Sequence, residues 1–160
     1  MGARGIYVAQ ECHTVNLIPP ASYSSTQTSQ AVNLKNWRHA SIILQLGVAG
    51  TPPTITLESS DDGSPENTTP IPFNMHSCET AFNAPNGDVL SARNAESSSG
   101  FEPAATNNTF FVIELDADTL PEAQNYFRLV ATGPTGCFIS VAVILSGGRY
   151  EHDQSETVLV

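Results

Sequence analysis

The sequence predicts an all-β protein: a single-domain antiparallel β-sandwich of the jelly-roll or Ig-like kind, with about 7–8 strands, long loops and an extended N-terminal arm. Its 160 residues suit one domain. Hydrophobic residues make up 40% and charged residues only 14%, and 11 glycines and 11 prolines divide the chain into short segments. The apolar segments are rich in β-branched and aromatic residues, which favour strands.

The most apolar of these segments is Cys137–Ser146. It lies between Gly133-Pro134-Thr135-Gly136 and Gly147-Gly148, both of which are turn signals. Because successive side chains of a strand point to opposite faces, the segment presents apolar side chains on both faces. We therefore expect a central strand that is covered on both faces.

Three units are predicted along the chain. Residues 1–20 form an N-terminal arm or edge strand, because the segment is partly apolar and stops at Pro19-Pro20, which lack backbone donors. Residues 21–148 form the β-sandwich domain. Residues 149–160 form a C-terminal tail, polar up to its last three residues and expected to leave the domain.

The remaining strands follow from alternating or continuous apolar runs between turn signals. They are predicted at 39–46, 54–58, 71–75, 109–115 and 125–132. The last two are expected to form a meander with 137–146, with one helical turn possible at 116–122. Residues 76–108 show little periodicity and are predicted to be irregular, with one short strand near Val89-Leu90.

Charge and cysteine content exclude several classes of function. The formal net charge of −10 disfavours nucleic acid as a partner, because binding the phosphate backbone requires a basic surface. Three cysteines, Cys12, Cys78 and Cys137, are an odd number, which indicates a reducing compartment rather than a disulfide framework. Neither a signal peptide nor an 18-residue apolar run is evident, so no membrane partner is expected.

Few residue patterns indicate chemistry. Asp61-Asp62-Gly63-Ser64 with Glu66 could supply oxygen ligands to calcium, but the full pattern of ligands and a closing Glu are missing, and an acidic hairpin turn is the simpler explanation. Cys12-His13 and the His76 to Cys78 segment could form a zinc site if they met in the fold, although neither spacing is typical of one. Cys137 lies within a strand, where a thiol serves packing. We predict that the protein is not an enzyme, with no catalytic residues, no cofactor and no metal.

The order of the segments resembles that of a group of small structural proteins of tailed bacteriophages. The resemblance is carried by Leu17-Ile18-Pro19-Pro20, the strand from His39 to Gly47, and segments 54–62, 71–73, 111–120, 126–129 and 138–150. It implies a virion protein made in the host cytoplasm, most like a decoration or cement protein on the capsid surface. The implied partners are the major capsid protein and other virion proteins, with a homo-oligomer, either trimer or dimer.

Two alternatives remain open from the residues. A head-to-tail or tail-associated structural protein would have the same fold and the same lack of chemistry. A carbohydrate-binding or receptor-binding β-sandwich would use exposed aromatic side chains such as Tyr23, Phe101 or Tyr150.

Contacts with partners are predicted on the arm, the 76–108 region and the start of the tail, because these segments are too irregular for the core. The predicted contact residues are Arg4, Ile6, Tyr7, Val8, Leu17, Phe101, Arg149 and Tyr150. Deletion of residues 1–18 is predicted to weaken attachment to capsids and to leave the sandwich folded.

Overall fold

The computed structural model describes residues 5–47, 50–64, 66–78, 89–104, 108–148 and 157–160. These residues form one four-residue helix, one 3₁₀ turn and eleven strands. The elements are α1 (Val8–Glu11), β1 (His13–Tyr23), β2 (Gln27–Thr28), β3 (Val32–Asn33), β4 (His39–Leu46), β5 (Thr54–Ser60), β6 (Thr69–Ile71), β7 (Phe73–Cys78), β8 (Asn94–Glu96), β9 (Thr109–Asp116), the 3₁₀ turn Ala117–Thr119, β10 (Tyr126–Thr132) and β11 (Cys137–Ser146).

The strands form two antiparallel sheets, which confirms the predicted all-β sandwich. The six-stranded sheet has the order β1-β11-β4-β9-β7-β8, and the five-stranded sheet has the order β2-β10-β5-β6, with β3 also paired to β10. Strands beyond the predicted 7–8 are two or three residues long, namely β2, β3, β6 and β8. Such short strands show no periodicity in the sequence. Among the described residues no helix is long and apolar enough to cross a membrane.

One hydrophobic core lies between the sheets. Along β4, β9 and β11 every second side chain is buried and points to the core, as the two-residue period of a strand requires. The five-stranded sheet contributes Ile55, Leu57, Phe127 and Leu129, each 0% exposed. Trp37, just before β4, is also buried.

The position of β11 differs from the prediction in one respect. It pairs with β1 on one side and β4 on the other, so it is an interior strand of its sheet as expected. Its buried face packs in the core, but the side chains of its other face are half-buried or exposed, and Phe138 is 52% exposed. The expectation that both faces are covered is therefore wrong for the part of the chain that the structure describes.

The predicted meander of β9, β10 and β11 is also wrong. β9 and β11 both pair with β4 in the six-stranded sheet, whereas β10 pairs with β5 in the other sheet. The connection from β9 runs through the 3₁₀ turn, the helical turn expected there, and crosses to the second sheet. Burial of alternate side chains of β10 in the core between the sheets accounts for its alternating pattern.

Both ends of the described chain are held by the sandwich. β1 pairs with β11 as an edge strand and runs through Pro19-Pro20 to Tyr23, so the expected stop at these prolines is wrong. Register shifts between Asn16 and Ile18 and between Ile18 and Ala21 accommodate the strand, and the edge position tolerates the missing donors. At the other end, the tail was expected to leave the domain, but residues 157–160 stay on it. Val158 is buried in the core, and Leu159 forms a bridge with Val32. The apolar character of Val158-Leu159-Val160 is the physical reason for this return.

The 76–108 region contains more structure than predicted. β7 continues to Cys78, and its outer edge pairs with β8, whereas Val89 and Leu90 are exposed and lie outside any strand. A turn then brings Phe101 beside Ile55 of β5. Residues 79–88 lie outside the described residues.

Candidate interaction surface

The two sheets present different outer faces. On the five-stranded sheet the central outer side chains are mostly polar, as they are on a sheet that faces water. Arg128 and Glu58 lie opposite each other on β10 and β5, and the Arg128 Nε donates to Glu58 Oε2 at 2.7 Å. Thr54 and Thr56 continue this polar surface along β5.

The outer face of the six-stranded sheet is apolar at its centre. Ala142, Ile43 and Val112 form one row across β11, β4 and β9, because Ala142 is the register partner of Ile43 and Ile43 that of Val112. Ile144 lies two residues from Ala142 along β11, and Phe110 lies two residues from Val112 along β9. All five side chains are half-buried. We call these five residues the outer apolar patch.

Polar side chains surround this patch. Gln45 and Ser140 pair across β4 and β11 at one end. Ser41, Glu114 and Asn74 form a row across β4, β9 and β7 at the other. An apolar centre within a polar rim is the usual organisation of a protein–protein interface. The geometry therefore suits binding to another surface.

The rim contains a compact charged cluster around His39. The His39 Nδ1 lies 2.6 Å from Asp116 Oδ1, and its Nε2 lies 2.7 Å from Glu114 Oε2. The Ser41 hydroxyl donates to Glu114 Oε2 at 2.7 Å. Burial acts to lower the pKa of His39, but the hydrogen bonds and negative charges of Asp116 and Glu114 outweigh it, and the pKa is raised. A protonated imidazole donates to both carboxylates and holds β4 against β9.

This cluster has the residue types of a serine hydrolase triad but not its arrangement. In such a triad the imidazole nitrogen facing the serine must be free to accept the hydroxyl proton. Here His39 Nε2 faces Glu114, and the Ser41 hydroxyl donates to the same carboxylate, with Ser41 Oγ at 3.3 Å from His39 Nε2. Because each ring nitrogen of the protonated His39 donates to a carboxylate, neither is free to accept a proton, and His39 links β4 to β9 as a cross-strand clamp rather than acting as a base.

We expect the stability that this clamp contributes to depend on pH. A raised pKa means that the folded state binds the proton more tightly than the unfolded chain. The contribution is therefore complete below the ordinary histidine value of about 6.5 and is lost as pH rises through the folded-state pKa. At about pH 5, where the imidazole is protonated and both carboxylates are ionised, the melting temperatures of the wild type and His39→Gln should differ by roughly 2–4 °C, as expected for a contribution of about 1 kcal/mol, and the gap should narrow as pH rises. A gap that is constant with pH would contradict this role.

Seven of the eight predicted contact residues fall into three groups. Ile6, Tyr7 and Val8 are 76%, 55% and 42% exposed at the start of the described chain, with Val8 beginning α1. Leu17 is a core residue, 7% exposed, because β1 turns its side chain inward. Arg4, Arg149 and Tyr150 lie outside the described residues.

Phe101 is half-buried, and its ring lies between the sheets. The centroid distances are 5.2 Å to Phe111 and 6.1 Å to Phe73. Its backbone exchanges two hydrogen bonds with Ile55, at 2.8 and 3.1 Å. Phe101 thus closes the sandwich beside β5, and packing rather than partner binding explains its position.

The two segments that could have supplied zinc ligands do not meet. His13 lies on β1 and His76 on β7, with three strands between them, a separation of about 19 Å at the usual strand spacing. Among the described residues no group of three or more His, Cys, Asp or Glu side chains could hold a metal ion. Cys137 is fully buried, and burial raises the pKa of its thiol, in keeping with the predicted packing role.

Sequence reasoning did not identify the outer apolar patch, although its signal was present. The double-faced apolar character of Cys137–Ser146 indicated that both faces of β11 need cover. Among the described residues, only the inner face of β11 is covered by other side chains. A strand that is apolar on both faces and lies in a two-layer sandwich predicts a binding surface on the second face.

Comparison with known proteins gives a structural similarity. No protein-family model matches the sequence, and no curated protein matches it either. The fold is similar to the crystal structure of the SPBc2 prophage-derived protein YomS, with a TM-score of 0.49 and 10% sequence identity. The similarity covers 85% of this chain and 94% of that chain.

Proposed function

We propose that this protein is a structural component of a bacteriophage virion that decorates and stabilises the outside of the capsid, without enzymatic activity. It binds across subunits of the major capsid protein through the outer apolar patch. The observation that supports this proposal is the contrast between the apolar outer face of the six-stranded sheet and the polar outer face of the other. The assignment to a phage virion comes from the resemblance in strand and turn order.

Charge favours a capsid protein over a second copy as the occupant of the patch. A net charge of −10 makes face-to-face contact between two copies electrostatically unfavourable, whereas a partner surface with basic residues is attracted. Contact removes the patch from water at about 25 cal/mol per Å² of apolar area. Because the added contacts form only on the assembled shell, they stabilise that shell against disassembly.

Ile6, Tyr7 and Val8 provide a second contact in this proposal. They are large apolar side chains with high exposure, at the start of α1 and just before it, and α1 buries no residue of its own. Association of three or two copies about a symmetry axis would present several patches to one capsomer junction, and simultaneous binding of linked sites increases avidity.

The proposal is tested by charging the patch. Val112→Asp is expected to reduce binding to capsids that lack this protein by at least tenfold, because contact would bury an unpaired carboxylate. Val130→Asp is the matched control, since Val130 is a half-buried valine on the outer face of the five-stranded sheet. The measurement is co-sedimentation with capsids, with melting temperatures to show that both variants fold equally well.

Each result separates the candidate functions. Equal binding by the two variants would show that the outer apolar patch is not the capsid-binding surface. Absence of binding by the wild type would contradict capsid decoration itself. In particle maps, copies on every capsomer support decoration, whereas a single ring at one vertex would assign the chain to the head-to-tail connection or tail. Binding to glycans that Val112→Asp leaves unchanged would favour the carbohydrate-binding alternative.

A further inference from the structure

The segment 157–160 adds a strand to the five-stranded sheet, outside β3. Ala31 and Val160 exchange two backbone hydrogen bonds, at 3.2 and 3.1 Å, and the Asn33 N–H donates to the Val158 carbonyl at 2.8 Å. Leu159 is the antiparallel bridge partner of Val32. β3 pairs with β10 on its other side, so the segment occupies what would otherwise be an open sheet edge.

Side chains hold the segment in a defined position. Val158 is 9% exposed and belongs to the hydrophobic core, and Leu159 packs against the core from its edge. Val160 lies over Gly63, where an added Cβ would be 2.5 Å from the Val160 Cβ. The receiving surface therefore combines a backbone ladder, a place for one buried valine and a glycine that leaves room for another.

We infer that the edge of β3 is a binding groove for an apolar strand of the Thr-Val-Leu-Val type, and that the 157–160 segment of a second copy fills it by exchange. Strand addition to a sheet edge is a common mode of peptide recognition, with affinity from the backbone and specificity from alternate side chains. Here the chain itself supplies both the groove and a segment that fits it.

Exchange is feasible because the segment is joined to the rest of the chain by residues 149–156. A fully extended chain of this length spans about 30 Å, which allows it to reach a neighbouring copy. A segment bound to a neighbouring copy makes the same contacts as it makes in its own chain. Which of the two grooves it occupies therefore depends on its effective concentration at each. An isolated chain keeps its own segment, and copies held side by side in any assembly exchange them. The inference is therefore independent of the proposed capsid partner.

The groove is tested with a chain truncated after Glu156 and a labelled peptide of residues 153–160. We expect the truncated chain to bind the peptide at least tenfold more tightly than the full chain does, because the full chain already fills its groove. A Val158→Asp peptide should bind at least tenfold more weakly than the native one, since it buries a charge. Equal affinity for both peptides, or no binding to the folded truncated chain, would overturn the inference.

A second experiment covers the case in which the truncated chain does not fold. A protease site placed within 149–156 allows the chain to be cut after folding, and native mass spectrometry then follows replacement of its own segment by the labelled peptide. Replacement supports the groove. A segment that stays bound without replacement, or that dissociates while the groove takes up no peptide, overturns it.

Exchange between copies is tested by pairing a donor with an acceptor. Gly63→Val places a side chain against Val160 and is expected to weaken the donor's hold on its own segment, whereas Gly5→Val is the matched control because nothing lies within 4 Å of a Cβ at Gly5. Mixed with the truncated acceptor, the Gly63→Val chain should form a 1:1 complex in light scattering, and the Gly5→Val chain should not. If the peptide binds but no complex forms with either donor, a second copy is the wrong occupant.

Discussion

Deletion of residues 1–18 is expected to unfold the sandwich. β1 contributes Val15, Leu17 and Ile18 to the core, with exposures of 5%, 7% and 4%. Full burial of such side chains stabilises a fold by about 1.5–3 kcal/mol each, together roughly 5–9 kcal/mol. A domain of this size has a total stability of about 5–15 kcal/mol. We therefore no longer expect the sandwich to stay folded after this deletion. Urea denaturation followed by circular dichroism measures whether the truncated chain is folded.

A shorter deletion is the matched control for this experiment. Residues 5–11 are all exposed, so a chain that begins at Cys12 keeps β1 and every described core residue. We expect its free energy of unfolding to remain within about 1 kcal/mol of the full chain, as is usual for surface changes. The same chain tests whether Ile6, Tyr7 and Val8 contribute to attachment. Equal stability of the two truncated chains would show that the first six residues of β1 are dispensable.

The strands that could be predicted from the sequence are those that bury alternate side chains over seven or more residues. Segments 39–46 and 137–146 have the predicted bounds, and 109–115 differs from β9 by one residue. Their periodicity is local and is therefore visible without knowledge of the fold. β2 and β8 exist because a neighbouring strand offers backbone partners, and nothing within two or three residues signals such a neighbour.

The candidate surface depends on information that no single segment carries. His39 meets Asp116 across 77 residues of chain because β4 and β9 pair in one register. A shift of that register by one residue would turn the side chains of one strand to the opposite face. The assignment of β10 to the other sheet is likewise invisible in its own seven residues. Residue type predicted strands, and pairing decided which faces became core and which became surface.

Gly100 is expected to be the least replaceable glycine among those described. It ends the turn at residues 97–100 with φ of +73°, a conformation that costs an alanine about 1–2 kcal/mol. A Cβ at this position would also lie 1.9 Å from the Ile55 carbonyl oxygen, which no relaxed structure permits. That oxygen accepts the Phe101 N–H, so relief of the clash must separate the chain from β5.

Separation would also withdraw the half-buried Phe101 ring from Phe111 and Phe73, and full burial of a phenylalanine side chain stabilises a fold by about 1.5–3 kcal/mol. Gly133→Ala provides the control, because Gly133 has nearly the same φ, +72°, and nothing lies within 4 Å of its added Cβ. Chemical denaturation should show a loss of about 1–2 kcal/mol for Gly133→Ala and a loss larger by at least about 1 kcal/mol for Gly100→Ala. Similar losses in both variants would mean that backbone conformation alone sets the loss of stability, and that closure of the sandwich by Phe101 contributes little to the free energy of unfolding.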